Sequence, residues 1–307
     1  MGNGCKKLEY LKFKKILGLP TMSGEQKPQV INVDKIFKDK NPGLYKLLPG
    51  FVMRYIKRII HLDKINHIIN KSEGITGVDF AKVVLEEMGV QVLCAGLQNV
   101  PEKGPVIIVS NHPLAGLDAM ALISYVGNKR KDLRFLVNDI LTRLPNFGEV
   151  FVPVNKIGVN PKSNLIRIEE IYASDVATML FPAGMCSRIF NGKIQDFEWQ
   201  KSFVTKAQKY KTTIIPVFVK GKNSSWFYNL SRFRTKLGIK ANVEMFYLPD
   251  EMFKQKGQTI ELIVGKPIQN ELLNQSQSDK EWAALIRAFV YNLDKKPDMS
   301  FEEFIIN

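Results

Sequence analysis

Two short blocks carry side chains able to do acid–base and acyl chemistry. The first is SNHPLAGLD, residues 110–118, where His112 follows the apolar run VIIVS and Asp118 comes six residues later. A neutral imidazole with a pKa near ~6.5 can take a proton from a hydroxyl at physiological pH. A carboxylate beside it fixes the tautomer and stabilises the imidazolium that forms. Gly116 would allow the turn that folds Asp118, at the opening of the next helix, back toward His112. The same spacing also suits a satisfied strand-end histidine followed by an N-cap aspartate. The second block is FPAGMCSR, residues 181–188. Pro182 and Gly184 expose a turn with backbone N–H groups, and Ser187 and Arg188 add donors suited to a carbonyl or anionic oxygen. A strand-to-loop turn with an incidental arginine would look the same. Cys186, inside this block, has no recognisable nucleophile context and reads as a small packed residue.

Both blocks follow apolar strands. Strands are expected at 105–110, 133–138, 149–154, 177–183, 212–219, 242–248 and 259–265. Helical stretches fall near 117–127, 162–174, 199–210 and 224–237, with a closing helix near 278–294. Apolar strands separated by helices predict an α/β fold with a mainly parallel central sheet flanked by helices. Ligands of such sheets gather at the carboxyl ends of the strands. Asn111 and His112, Asn155 and Lys156, Pro182 to Gly184, and Lys220 with Gly221 all fall there.

The N-terminal region is different. Residues 1–43 read as a basic tail, and 44–70 as a basic amphipathic helix. In it Phe51, Val52, Tyr55, Ile56, Ile59 and Ile60 recur at helical spacing around Arg54, Lys57 and Arg58. Such a helix lies in a membrane interface or packs on the domain with a solvated basic face. His61 and His67 at its end read as surface or headgroup-facing. A second amphipathic helix is expected at about 76–88, which puts a membrane-association region at 44–89, a core at 90–225 and a C-terminal α/β extension at 226–307. Residues 224–240 combine Trp226, Phe227, Leu230, Phe233 and Leu237 with Arg232, Arg234, Lys236 and Lys240. They would make a second membrane contact, the wall of an acyl-chain groove, or a helix packed on the sheet.

Composition narrows the classes. Lys plus Arg outnumber Asp plus Glu by 44 to 30, a net charge of +14. That balance favours an anionic partner. Cys5, Cys94 and Cys186 form no CxxC or zinc pattern, so no metal is expected and a reducing, cytoplasmic setting is the simplest. No apolar run reaches the ~18 residues of a spanning helix, and MGNGCKKLEYLKFKK lacks the apolar core of a secretory signal. Lys6 stands where N-myristoylation wants Ser or Thr. There is no P-loop, complete Gly-x-Gly-x-x-Gly or Gly-x-Ser-x-Gly elbow, and no nucleic-acid recognition signature accompanies the basic residues.

Four blocks in order, NHPLAGLD (111–118), GEVFVPVNK (148–156), FPAGMCSR (181–188) and IIPVFV (214–219), resemble the PlsC-like glycerolipid acyltransferase family over roughly residues 90–225. The resemblance implies transfer of a fatty acyl group from a thioester, acyl-CoA or acyl-acyl carrier protein, to a lysolipid hydroxyl. It needs no further cofactor. It implies His112 as general base, Asp118 as its orienting partner, and substrate contacts from Asn111, Gly116, Asn155, Lys156, Phe181, Pro182, Gly184, Ser187 and Arg188. The basic amphipathic helix and the charge excess add an expectation of peripheral attachment to the anionic cytoplasmic face of the inner membrane, with no nucleic acid bound. The chain departs from the family pattern in three places. It has His-x5-Asp instead of His-x4-Asp, Ala183 where Glu is usual with Met185-Cys186 for Thr-Arg, and Asn155-Lys156 for Arg. Lost charges that hold an acceptor phosphate make lysophosphatidic acid a less secure acceptor. The combination looks more like the hemolysin-like branch, which acylates lyso-ornithine or lyso-glycine lipids. The alternative is a non-catalytic basic protein, binding membranes or nucleic acid, on the same scaffold.

Overall fold

The computed structural model of the chain describes residues 31–306, apart from 41, 140 and 155–161. The tail over 1–30, with Asn155 and Lys156, therefore lies outside the described residues. The strands of the main sheet are β1 (Gln91–Ala95), β2 (Val106–Ser110), β3 (Leu133–Asn138), β4 (Phe151–Val154), β5 (Ala177–Leu180), β8 (Thr213–Lys220) and β9 (Thr259–Val264); β6 (Arg188–Phe190) and β7 (Lys193–Gln195) form a separate antiparallel hairpin. The main sheet has the order β1-β9-β8-β2-β5-β3-β4. Neighbours run parallel except β8 and β9, so the expected mainly parallel α/β sheet is present.

Strand β2 lies between β5 and β8, and every residue in it is buried. Its alternation explains why VIIVS is apolar throughout. Val106 and Ile108 pack with Phe80, Ala121 and Leu122 on one face, while Ile107 and Val109 meet Phe203, Trp282 and Phe289 on the other. Helices Gly77–Glu87 and Leu117–Lys129 cover the first face; Ser202–Tyr210 and Asp279–Asn292 cover the second. His112, two residues after β2, thus starts from a strand that is paired and buried along its whole length.

Two expectations need correction. The single helix over 44–70 is divided among Pro42–Leu47, Gly50–Ile59 and Leu62–Lys71. Pro49 opens the second of these, and His61 takes a left-handed conformation (φ 51°) between the last two. His61 is half-buried and engaged: its Nε2 lies 2.8 Å from Asp250 Oδ1, and its ring packs on Phe253 at 4.6 Å. Residues 242–248 form no strand. They make a 3-10 turn, Val243–Tyr247, leading into the helix Leu248–Lys254, because Glu244 turns inward to Arg188 and Arg234 while Met245 and Phe246 stay exposed. Strand β1 and the β6–β7 hairpin were not expected; β1 alternates exposed and half-buried positions at the sheet edge, a pattern too short to stand out.

Candidate active site

The site begins where β2 ends. Asn111 continues the sheet with its side chain: Nδ2 donates to the Val219 carbonyl at 2.8 Å, and Oδ1 accepts from the Val219 N–H at 2.7 Å. Asn111 is therefore committed to holding the loop against β8. His112 follows, with its side chain 17 % exposed, and its Nδ1 lies 2.7 Å from Asp118 Oδ2. A carboxylate only accepts, so this contact places the proton on Nδ1 and leaves Nε2 as the basic nitrogen.

The extra residue of the His-x5-Asp interval is absorbed by two successive left-handed residues, Ala115 (φ 54°) and Gly116 (φ 118°). The chain curls around the carboxylate. Asp118 Oδ2 also accepts from the Leu114 N–H at 2.8 Å, and Oδ1 accepts from Gly116 and Ala119 N–H at 3.1 and 2.9 Å. Asp118 is fully buried at the start of the helix Leu117–Lys129. Burial alone would push its carboxyl up, but the imidazole charge and these N–H donors hold it below the usual range. Burial likewise opposes charge on His112, yet the Asp118 carboxylate raises the imidazole well above its ordinary 6.5. Gly221 leaves room for this loop: a Cβ there would sit 2.6–2.8 Å from the Leu114 side chain, which would have to shift.

The second block closes over the first. The Ser187 N–H donates to the His112 carbonyl at 2.8 Å, and the Phe181 ring stacks on the imidazole, with centroids 4.1 Å apart and planes within 7°. Pro182 is buried, its carbonyl accepting from the Gln200 N–H at 3.1 Å. Gly184 has φ 67° and closes the turn by donating its N–H to the Phe181 carbonyl at 2.9 Å. Ser187 and Arg188, expected to face substrate, are both buried and engaged within the protein. Ser187 Oγ donates to Asp196 Oδ1 at 2.6 Å. Arg188 donates to the Cys186 carbonyl at 2.8 Å, pairs with Glu244 Oε1 at 3.2 Å and stacks over Phe227 at 4.5 Å.

Two carboxylates in this assembly, Asp196 and Glu244, were not picked out by the sequence, and Cys186, read there as a small packed residue, touches the imidazole. Asp196 accepts from the His112 N–H at 3.2 Å, from Ser187 and from Trp199 Nε1 at 2.9 Å, so one buried carboxylate holds both blocks together. Burial raises its carboxyl despite those donors. Glu244 receives Arg188 and also Arg234, whose Nη2 donates to Oε1 at 3.1 Å. Cys186 has its Sγ 3.3 Å from His112 Nε2. Asp196 lies outside every sequence motif and Glu244 in a stretch expected as a strand, so only the folded chain relates them to His112. Among the described residues, no cluster of three or more His, Cys, Asp or Glu is placed to hold a metal.

The arrangement offers a buried carboxylate, an oriented imidazole and a stacked aromatic ring at the carboxyl end of the central strand. The family model described as "Acyltransferase" matches residues 35–300. A lyso-glycine lipid O-acyltransferase of Bacteroides thetaiotaomicron is 41% identical over 266 residues, spanning 86% of this chain and 97% of that protein. One from Phocaeicola vulgatus is 39% identical over 265 residues, spanning 86% of this chain and 95% of its own length. The crystal structure of the 1-acyl-sn-glycerophosphate (LPA) acyltransferase PlsC from Thermotoga maritima matches with a TM-score of 0.42 and 15% identity, over 78% of this chain and 95% of that one. With nearly its whole described length matched, the chain belongs to the acyltransferase family, and the protein is an acyltransferase.

Proposed function

We propose that the protein transfers a fatty acyl group from an acyl thioester, acyl-CoA or acyl-acyl carrier protein, to the hydroxyl of a lyso-aminolipid of the glycine- or ornithine-lipid type. His112 acts as general base and Asp118 as its orienting partner. The observation that carries this reading is the 2.7 Å contact between His112 Nδ1 and a buried Asp118, which leaves Nε2 to receive the acceptor's proton. General-base assistance of this kind is worth about 10²–10⁴ in rate. The acceptor class draws on two relatives named lyso-glycine lipid O-acyltransferases and on Ala183, an apolar residue buried where the wider family carries a carboxylate. The thioester donor is anionic in either form and suits a chain of charge +14.

Lysolipid and product both reside in a bilayer, so the protein works at a membrane surface, on the cytoplasmic side. No helix among the described residues is long and apolar enough to cross a membrane. Attachment is instead peripheral, through exposed apolar and basic side chains on Gly50–Ile59 and Ser225–Lys236. Purified protein should be offered palmitoyl-CoA or an acyl-carrier-protein thioester with a panel of lysolipids. Lyso-glycine or lyso-ornithine lipid should be the preferred acceptor. Strong preference for lysophosphatidic acid over both would overturn the assignment of acceptor, and full turnover by His112→Ala would overturn the assignment of base.

A further inference from the structure

The β6–β7 hairpin brings a carboxylate back to the histidine loop. Asn191 and Gly192, at φ 49° and 78°, make its two-residue turn, whose left-handed residues match the twist of the flanking strands. The turn sets Phe190 against Lys193, Ile189 against Ile194 and Arg188 against Gln195. One step further along, Asp196 stands by Ser187 and accepts from its Oγ at 2.6 Å. The same oxygen, Oδ1, accepts the His112 N–H at 3.2 Å, while Oδ2 accepts from Trp199 Nε1 at 2.9 Å. Each oxygen thus faces an N–H group that can only donate, which suits the ionised carboxylate. The backbone of Asp196 is held as well: its N–H donates to the Tyr291 hydroxyl at 2.7 Å, and its carbonyl accepts from Arg287 Nη2. Asp196 is only 1 % exposed, so it reaches the reaction through His112 and not through substrate.

Burial pushes the Asp196 carboxyl up in spite of its donors, so its charge is kept against the preference of the fold. Charges held in that way gather at functional sites. A cationic His112 opposes the upward push, and the attraction between the two groups is mutual. We propose that Asp196 is a positioning residue for acyl transfer: it anchors the His112 backbone through Oδ1, and its negative charge, added to that of Asp118, favours the imidazolium formed during the reaction. This rests on His112 acting as the base. In that reading Nε2 takes the acceptor's hydroxyl proton as its oxygen attacks the thioester carbonyl. A carbon–oxygen bond forms, the carbon–sulfur bond breaks, and the departing thiolate receives the proton from the imidazolium. Between those two transfers the ring is cationic, with Asp118 at Nδ1 and Asp196 at the backbone N–H facing it. Cys186, with Sγ 3.3 Å from Nε2, adjoins the ring from the 181–188 turn, and Tyr291 and Arg287 adjoin Asp196 from the helix Asp279–Asn292.

Asp196→Asn alone would turn an amide nitrogen, also a donor, toward Trp199 Nε1, so the charge is best removed together with that donor. In Asp196→Asn combined with Trp199→Phe, the amide oxygen still accepts the His112 N–H, and Trp199→Phe by itself is the reference. Rates are measured across pH on the purified full chain, with whichever thioester and lysolipid the unmodified protein turns over fastest. The acid limb of kcat/KM should lie at lower pH in the double variant than in Trp199→Phe, because one of the two charges that favour the imidazolium is gone. Asp196→Ala, which removes the anchor too, should lower kcat by about 10²-fold with KM for both substrates unchanged, since the base is displaced and no substrate contact is lost. An acid limb that stays in place in the double variant, or a loss in Asp196→Ala that falls on KM instead of kcat, would overturn the proposal and leave Asp196 a structural tie between the two loops. His112→Ala measured alongside separates the failures. If it loses turnover while the limb of the double variant is unmoved, the positioning role alone falls; if it retains full turnover, the base falls and the positioning role with it.

Discussion

At His112 two forces oppose each other, and their balance is readable as a pH profile. Burial disfavours the imidazolium, whereas the Asp118 carboxylate at 2.7 Å favours it and prevails. The basic form therefore accumulates only as pH rises through a value well above 6.5. We expect kcat/KM to climb with pH along an acid limb whose midpoint lies on the alkaline side of 6.5. In Asp118→Asn the charge that favours the imidazolium is gone, so the limb should move to lower pH. The plateau should fall by about 10²–10⁴, because the tautomer is no longer enforced. A limb that stays in place would mean that Asp118 does not act on His112. At this scale the sequence was partly legible. His112 and Asp118 stood out because a strand end and a short glycine-bearing interval limit where they can point, and the structure shows Ala115 sharing with Gly116 the turn that the interval requires. Arg188 was legible as a donor but not as one already engaged, because its partner Glu244 lies 56 residues away.

Among the elements, the turn at 181–188 is held by a buried charge network. Arg188 and Arg234 converge on Glu244, which ties β6 and the helix Ser225–Lys236 to the 3-10 turn Val243–Tyr247. Removing one member of a buried ionic set leaves its partners charged and dry, at a cost of about 3–5 kcal/mol. Glu244→Leu should lower the unfolding free energy by that order in a denaturant titration, and an unchanged midpoint would contradict the account. Gly221 predicts a different signature. An added Cβ would meet Leu114 at 2.6–2.8 Å, and Leu114 is buried under the loop that carries His112. Gly221→Ala should cost about 1–3 kcal/mol of stability. It should also lower kcat more than that loss accounts for, because the loop, not the sheet, must yield; a drop in stability alone would place the strain elsewhere. The apolar strands were legible here because burial on both faces leaves no polar position in VIIVS. Residues 242–248 were not, because NVEMFYL has a strand's composition while its fold is decided by where one carboxylate finds its arginines.

On the scale of the whole molecule, exposed apolar side chains join distant parts of the chain into one surface. Phe51 is 66 % exposed and Tyr55 50 % on Gly50–Ile59, while Trp226 is 46 % and Phe233 61 % on Ser225–Lys236. Tyr247 links the two helices: its hydroxyl lies 2.8 Å from that of Tyr55, and its ring is 4.4 Å from Trp226. Met245 and Phe246 extend the surface on the same turn that presents Glu244 to Arg188, so the apolar face adjoins the turn at 181–188. Exposed Arg54, Arg58, Arg232 and Lys236 accompany it. Aromatic and aliphatic side chains among cations match a bilayer interface with anionic headgroups, where each basic residue contributes about 1 kcal/mol. Inserting one such aromatic ring is worth about 1.5–3 kcal/mol, so Phe51→Ser, Trp226→Ser and Phe233→Ser should each weaken binding to anionic vesicles roughly tenfold or more. Added salt should remove the headgroup contribution and leave the apolar part. Turnover of a short-chain, water-soluble donor and acceptor should be unaffected, since no residue of the His112 loop is altered. Unchanged vesicle affinity in all three variants would move the membrane contact away from this face.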